Sequence, residues 1–127
     1  MTLSLIGYSL SGLIAVGIVF IGARFWWDPP AASRGFGIPN PPSTGFIPWL
    51  GVKGVRDIVS GLFVFLLMAH GSPRLLGEFL LVASLIAIGD AVIVLRSGGS
   101  KTAAFGIHGL TAVVIIATGA SLISVSS

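Results

Sequence analysis

Six ionisable side chains stand inside otherwise apolar stretches of this 127-residue chain, and proton chemistry is what their types suggest. Asp90 follows a long apolar run and precedes Ala91-Val92-Ile93-Val94-Leu95. Asp57 lies four residues after Lys53 and next to Arg56, and His108 sits between glycines in Gly106-Ile107-His108-Gly109. Carboxyl groups at Asp90 and Asp57 are acid/base candidates, and His108 can give or take a proton near neutral pH. Arg56, Lys53 and Arg24 can stabilise negative charge on a substrate or transition state. Such a set suits isomerisation, cyclisation or dehydration and needs no cofactor. The chain has no cysteine, so disulfides, thiolate metal sites and cysteine nucleophiles are excluded. Phosphate-binding glycine loops, nucleophile elbows and paired-histidine metal sites are also absent, so no metal is expected.

The elements that must hold these residues are set by composition. Hydrophobic residues make up 54% of the chain and charged ones 9%, with a mean hydropathy of +1.04. A soluble domain carries about 25% charged residues, so the surplus apolar surface calls for a lipid bilayer as solvent. The net charge of +3 is too small and dispersed for nucleic acid. Four apolar stretches, about 3–25, 48–70, 73–95 and 102–124, each approach the roughly 20 residues a membrane helix needs. They do not alternate as barrel strands do, which leaves helices as the way to satisfy the backbone in lipid. The opening Met1-Thr2-Leu3-Ser4-Leu5 has no basic residue, so the first stretch is expected to be a retained helix.

The fold class expected is all-α: one membrane domain, a four-helix bundle with short hairpin connections and one longer Pro/Gly-rich loop. His70-Gly71-Ser72-Pro73 reads as a tight turn and Arg96–Lys101 as a short polar loop. Residues 28–47 contain Pro29, Pro30, Pro39, Pro41 and Pro42, and are read as that long loop, packed on the bundle, lying at the interface or mobile.

Four spans put both termini on one side. The loop side carries Arg24, Arg34, Lys53, Arg56, Arg96 and Lys101, and the terminal side only Arg74. The positive-inside rule places the loops in the cytoplasm and the termini outside. Trp26, Trp27 and Trp49 fall at the cytoplasmic interface, and Trp49 joins the candidate binding residues. Each helix then brings a polar group to the cytoplasmic half, roughly 8–13 Å below its end. Charges at that depth should face one another. The expectation is a polar pocket built from Arg24, Lys53, Arg56, Asp57, Asp90 and His108, open to the cytoplasm. Tyr8, His70, Arg74 and Glu78 form a second group at the outer side, where Arg74 and Glu78 are spaced for an interfacial ion pair.

Gly22-Ala23-Arg24-Phe25, Ala32-Ser33-Arg34-Gly35-Phe36-Gly37-Ile38-Pro39, Lys53-Gly54-Val55-Arg56-Asp57-Ile58, Gly89-Asp90-Ala91 and Gly106-Ile107-His108-Gly109 together resemble one family. It is a family of small, four-helix, DoxX-like membrane proteins of unknown function. The resemblance spans nearly the whole chain and implies the fold without an established reaction. Some fungal members look like passengers of natural-product gene clusters, which would suit an enzyme acting on an apolar substrate.

The leading expectation is a membrane-embedded enzyme or binding protein for a small apolar molecule, entered from the cytoplasmic leaflet. A proton-coupled transporter or channel subunit uses the same charges as a relay, and with four short helices it would need a homo-oligomer. In a structural or assembly subunit, Arg24 and Lys53 snorkel, Asp57 is locked in an ion pair, and His108 is a hydrogen-bonded core residue.

Overall fold

The computed structural model describes residues 2–40 and 43–127. Prolines 41 and 42, counted above among the loop breakers, lie outside the described residues. Four long helices and one short one follow in chain order: α1 Leu3–Trp27, α2 Pro29–Phe36, α3 Ile47–His70, α4 Pro73–Arg96 and α5 Leu110–Ser124. A π-helical stretch, Thr102–Gly109, runs into α5 without a break.

Helix starts follow local chemistry. Thr2 caps α1 by accepting from the Leu5 N–H at 3.2 Å, and Ser72 caps α4 by accepting from Leu75 at 3.2 Å. Helix α3 ends on Gly71, whose φ of 83° closes the turn into α4.

Residues 28–47, expected as an irregular loop, contain α2. The prolines begin this helix instead of preventing it. Asp28 accepts from the Ala31 N–H at 3.2 Å, and Pro29 and Pro30 occupy first-turn positions where no N–H is needed. Gly37, at φ 105°, ends the helix. A second difference concerns residues 102–109, expected as ordinary α-helix. Gly106 and Gly109 weaken the α preference there, while Ala103 and Ala104 pack on Val94 of α4 beside Phe36.

Helix α1 runs antiparallel to α3, and α4 antiparallel to the last helix. Each pair is drawn together where glycines face. Gly22 and Gly54 meet backbone to backbone, so that a Cβ at Gly22 would lie 2.6 Å from the Gly54 carbonyl oxygen. Gly77 and Gly119 do the same between α4 and α5, at 2.6 Å. The buried core joins the pairs: Ala15 from α1, Val64 and Leu67 from α3, Leu76 and Leu80 from α4, Ile115 and Leu122 from α5.

Three helical stretches, Leu3–Trp27, Pro73–Arg96 and Thr102–Ser124, are long and apolar enough to cross a membrane. Helix α3 matches them in length but carries Lys53, Arg56 and Asp57. Much of the outer surface is apolar, with Leu13, Val82 and Leu85 each more than 60% exposed. Buried hydroxyls turn inward to their own helix: Ser11 donates to the Gly7 carbonyl and Thr118 to that of Val114. Among the described residues, no buried side-chain nitrogen or oxygen lacks a hydrogen-bond partner. Apolar outside and satisfied inside is what lipid requires.

Candidate functional site

The helix faces explain which side chains meet. At 3.6 residues per turn, Lys53, Asp57, Ser60 and Val64 fall within a narrow stripe of α3. Arg56 lies roughly 70° off that stripe and is exposed. On α1 the corresponding stripe is Ile14, Ile18, Ile21 and Phe25, and Arg24 sits roughly a quarter-turn away. Asp90 lies on the α4 stripe with Phe79, Ala83 and Ile86, and His108 is the penultimate residue of the π-helical stretch. These stripes enclose a cavity of about 110 Å³ between the helices.

Lys53, Asp57, Asp90 and His108 all line this cavity. The Lys53 ammonium donates to an Asp57 oxygen at 2.9 Å and lies 3.6 Å from an Asp90 oxygen, so one cation ties two helices. Two ring faces complete its surroundings, Phe36 at 4.9 Å and Phe25 at 5.3 Å from the ring centres. His108 Nε2 stands 2.7 Å from the Phe36 carbonyl oxygen. A carbonyl only accepts, so Nε2 carries the proton, and the Nδ1 of a neutral ring is left with its lone pair. That carbonyl is one of the last in α2, left without a partner inside the helix, and His108 supplies one.

Of the sequence-predicted residues, Asp90, Asp57, His108 and Lys53 are therefore brought together. Arg24 and Arg56 do not line the cavity, because adjacent positions on a helix point to different sides. Trp49 is 68% exposed on the first turn of α3, away from the cavity. At the other end of the molecule, Arg74 donates to Glu78 at 2.9 Å in the expected exposed pair. His70 is exposed there, whereas Tyr8 packs against the core.

Phe36 was not among the expected site residues, nor were Phe25, Ser60 and Thr111. Phe25, Ser60 and the isoleucines were findable by extending the helical stripe from residues already suspected. No periodicity points to Phe36, which reaches the site only because α2 folds back over it. Phe36 lies across the Lys53 end, while half-exposed lining residues, Ile86 at 49%, Ile21 at 49% and Ile107 at 48%, mark the flanks.

Fold and site together define a helical protein with membrane-length apolar helices and an ionisable cluster inside them. The chain belongs to the family of a domain of unknown function, DUF4267, whose profile matches residues 15–122. That range contains every cavity-lining residue except Ile14. No curated protein and no solved structure gives a significant match.

Proposed function

We propose that this chain is a four-span, DoxX-like integral membrane protein that binds a small, largely apolar molecule and acts on it by proton transfer. The observation that carries this reading is the union of Asp57, Asp90, His108 and Lys53 at the polar end of one otherwise apolar cavity. Two carboxylates face one ammonium, so a single additional proton, on His108 or on a carboxylate, brings the cluster to zero charge. Neutrality is strongly favoured in a low-dielectric interior. A proton with alternative resting places beside a bound molecule is the requirement for isomerase, cyclase or dehydratase chemistry.

The roles follow from the geometry. His108 Nδ1 serves as base, and Asp90, held only by the longer 3.6 Å contact, exchanges a proton with the substrate. Asp57, bound tightly to Lys53, orients that ammonium. Lys53 holds the two carboxylates together instead of meeting substrate charge, and Arg24 and Arg56 belong to the rim outside. The flanking gaps beside Ile86, Ile21 and Ile107 suit entry sideways from the cytoplasmic leaflet. Orientation with loops in the cytoplasm is supported by Arg24, Arg34, Arg56, Arg96 and Lys101 gathering at one end of the antiparallel helices and Arg74 alone at the other.

Asp90→Asn and His108→Ala are expected to abolish turnover or ligand binding while the helical content and thermal unfolding of the purified protein stay near wild type. Full activity in both variants would sink the proposal. A proton-coupled transporter is the second reading, favoured by cavity-lining residues exposed on more than one flank. Proton-dependent flux in reconstituted liposomes selects it. A purely structural lock is selected if purified protein carries and binds no small molecule.

A further inference from the structure

The polar lining of the cavity offers acceptors and almost no donors. The exception is Lys53, whose partly exposed ammonium is directed to Asp57 at 2.9 Å and toward Asp90 at 3.6 Å, between two aromatic faces. The His108 Nε2 proton goes to the Phe36 carbonyl. Ser60 donates its hydroxyl to the Arg56 carbonyl at 2.8 Å, and Thr111 donates to the Ile107 carbonyl at 2.6 Å. The other polar groups of the lining residues carry lone pairs: the Asp90 carboxylate, the Nδ1 of a neutral His108, and the Ser60 and Thr111 oxygens. Asp90 accepts no hydrogen bond within 3.5 Å among the described residues, and its side chain is 19% exposed although it lies between helices. A ligand's donors would find partners here, whereas a ligand carboxylate or phosphate would meet lone pairs and negative charge.

Charge points the same way. Without the additional proton on His108 or a carboxylate, one ammonium offsets only one of the two carboxylates, and a ligand's ammonium can supply the missing positive charge at Asp90, the more distant of the two from Lys53. Beyond this end the lining is hydrocarbon, with Ile14, Ile18, Val64, Leu80 and Ile115.

We infer that the cavity selects an apolar molecule bearing a protonated amine, its ammonium on the Asp90 carboxylate and its hydrocarbon body among the isoleucines. This rests on the cavity being a ligand site, and it narrows the substrate class of the proposed function. Acidic lipids and fatty acids are excluded as ligands, and neutral alcohols are second best because they donate without supplying charge.

The test is equilibrium dialysis of the full chain in detergent against labelled hexylamine, 1-hexanol and hexanoate, corrected with protein-free micelles. Hexylamine is expected to bind at least tenfold more tightly than either analogue. Asp90→Asn is expected to lose that preference, and Asp90→Glu to keep most of it. Hexanoate or hexanol binding as tightly as hexylamine overturns the amine assignment while leaving the ligand site standing. Retention of the preference in a folded Asp90→Asn protein also overturns it. If none of the three binds, the ligand-site reading falls with it. The wild-type comparison needs no variant, so poor folding of Asp90→Asn does not remove the test.

Discussion

Lys53 is the residue on which the site turns. Its ammonium is the only cation shown within 4.0 Å of either Asp57 or Asp90 among the described residues, and it joins α3 to α4. Removing one partner of an internal ion pair costs more than removing the pair, because the orphaned charge stays behind. Lys53→Met is expected to lower stability by about 3 kcal/mol, a figure at the low end for buried pairs because the ammonium is partly exposed. Lys53→Met combined with Asp57→Asn should recover part of that loss. Chemical denaturation in mixed micelles measures both, and a double variant no more stable than the single one contradicts the argument. Arg56 gives the contrast: it is exposed beside the same Asp57, and Arg56→Ala is expected to change stability by less than about 1 kcal/mol.

At the scale of elements, two devices hold the site in shape. The first is the crossing of α1 and α3 at Gly22 and Gly54, which sets how near Phe25 comes to Lys53. A larger side chain at Gly54 would strike the Gly22 carbonyl and the Phe25 and Trp26 side chains. Gly54→Val is expected to cost at least about 1–3 kcal/mol through overpacking, read as a fall in thermal unfolding temperature. The second is α2, which reaches the cavity only by its last residue. Gly37 allows the chain to leave α2 at φ 105°, and a Cβ there would press on Ala103. Gly37→Val should undock α2 without unfolding the long helices. Faster amide exchange over residues 29–36, with protection in α3 and α4 unchanged, is the expected result.

For the molecule as a whole, the proposed topology makes a simple prediction, because the chain has no cysteine to interfere. Ser97→Cys lies in the connection after α4 and Ser127→Cys at the end of the chain, both exposed. An impermeant maleimide applied to intact cells is expected to label Ser127→Cys at once and Ser97→Cys only after permeabilisation. The reverse pattern inverts the orientation, and equal labelling of both removes the crossing over residues 102–124 and with it the four-span topology. Three stretches meet the membrane requirement by themselves. Helix α3, the proposed fourth span, turns Lys53 and Asp57 inward and leaves Val59, Leu62 and Leu66 outside.

Length, apolar periodicity and turn chemistry act within a few residues, so the four long helices and their ends were legible from the sequence. The identity of the inward charges was half legible. Helical spacing joins Lys53 to Asp57, and an isolated Asp90 in an apolar run must face protein. Adjacent residues such as Arg56 and Asp57, or Arg24 and Phe25, looked equivalent until a neighbouring helix gave the face a direction. The short helix at Pro29–Phe36 was hidden because proline reads as a breaker, although at a helix start it is not one. Only tertiary structure placed Phe36 between Lys53 and His108, since that contact joins residues 72 positions apart in the chain for His108. The partner of the His108 Nε2 proton was settled there too, whereas the Ser60 and Thr111 hydroxyls donate to carbonyls four residues back in their own helices. Composition determined that the helices are long and apolar enough to cross a membrane; packing decided which side chains the cavity presents.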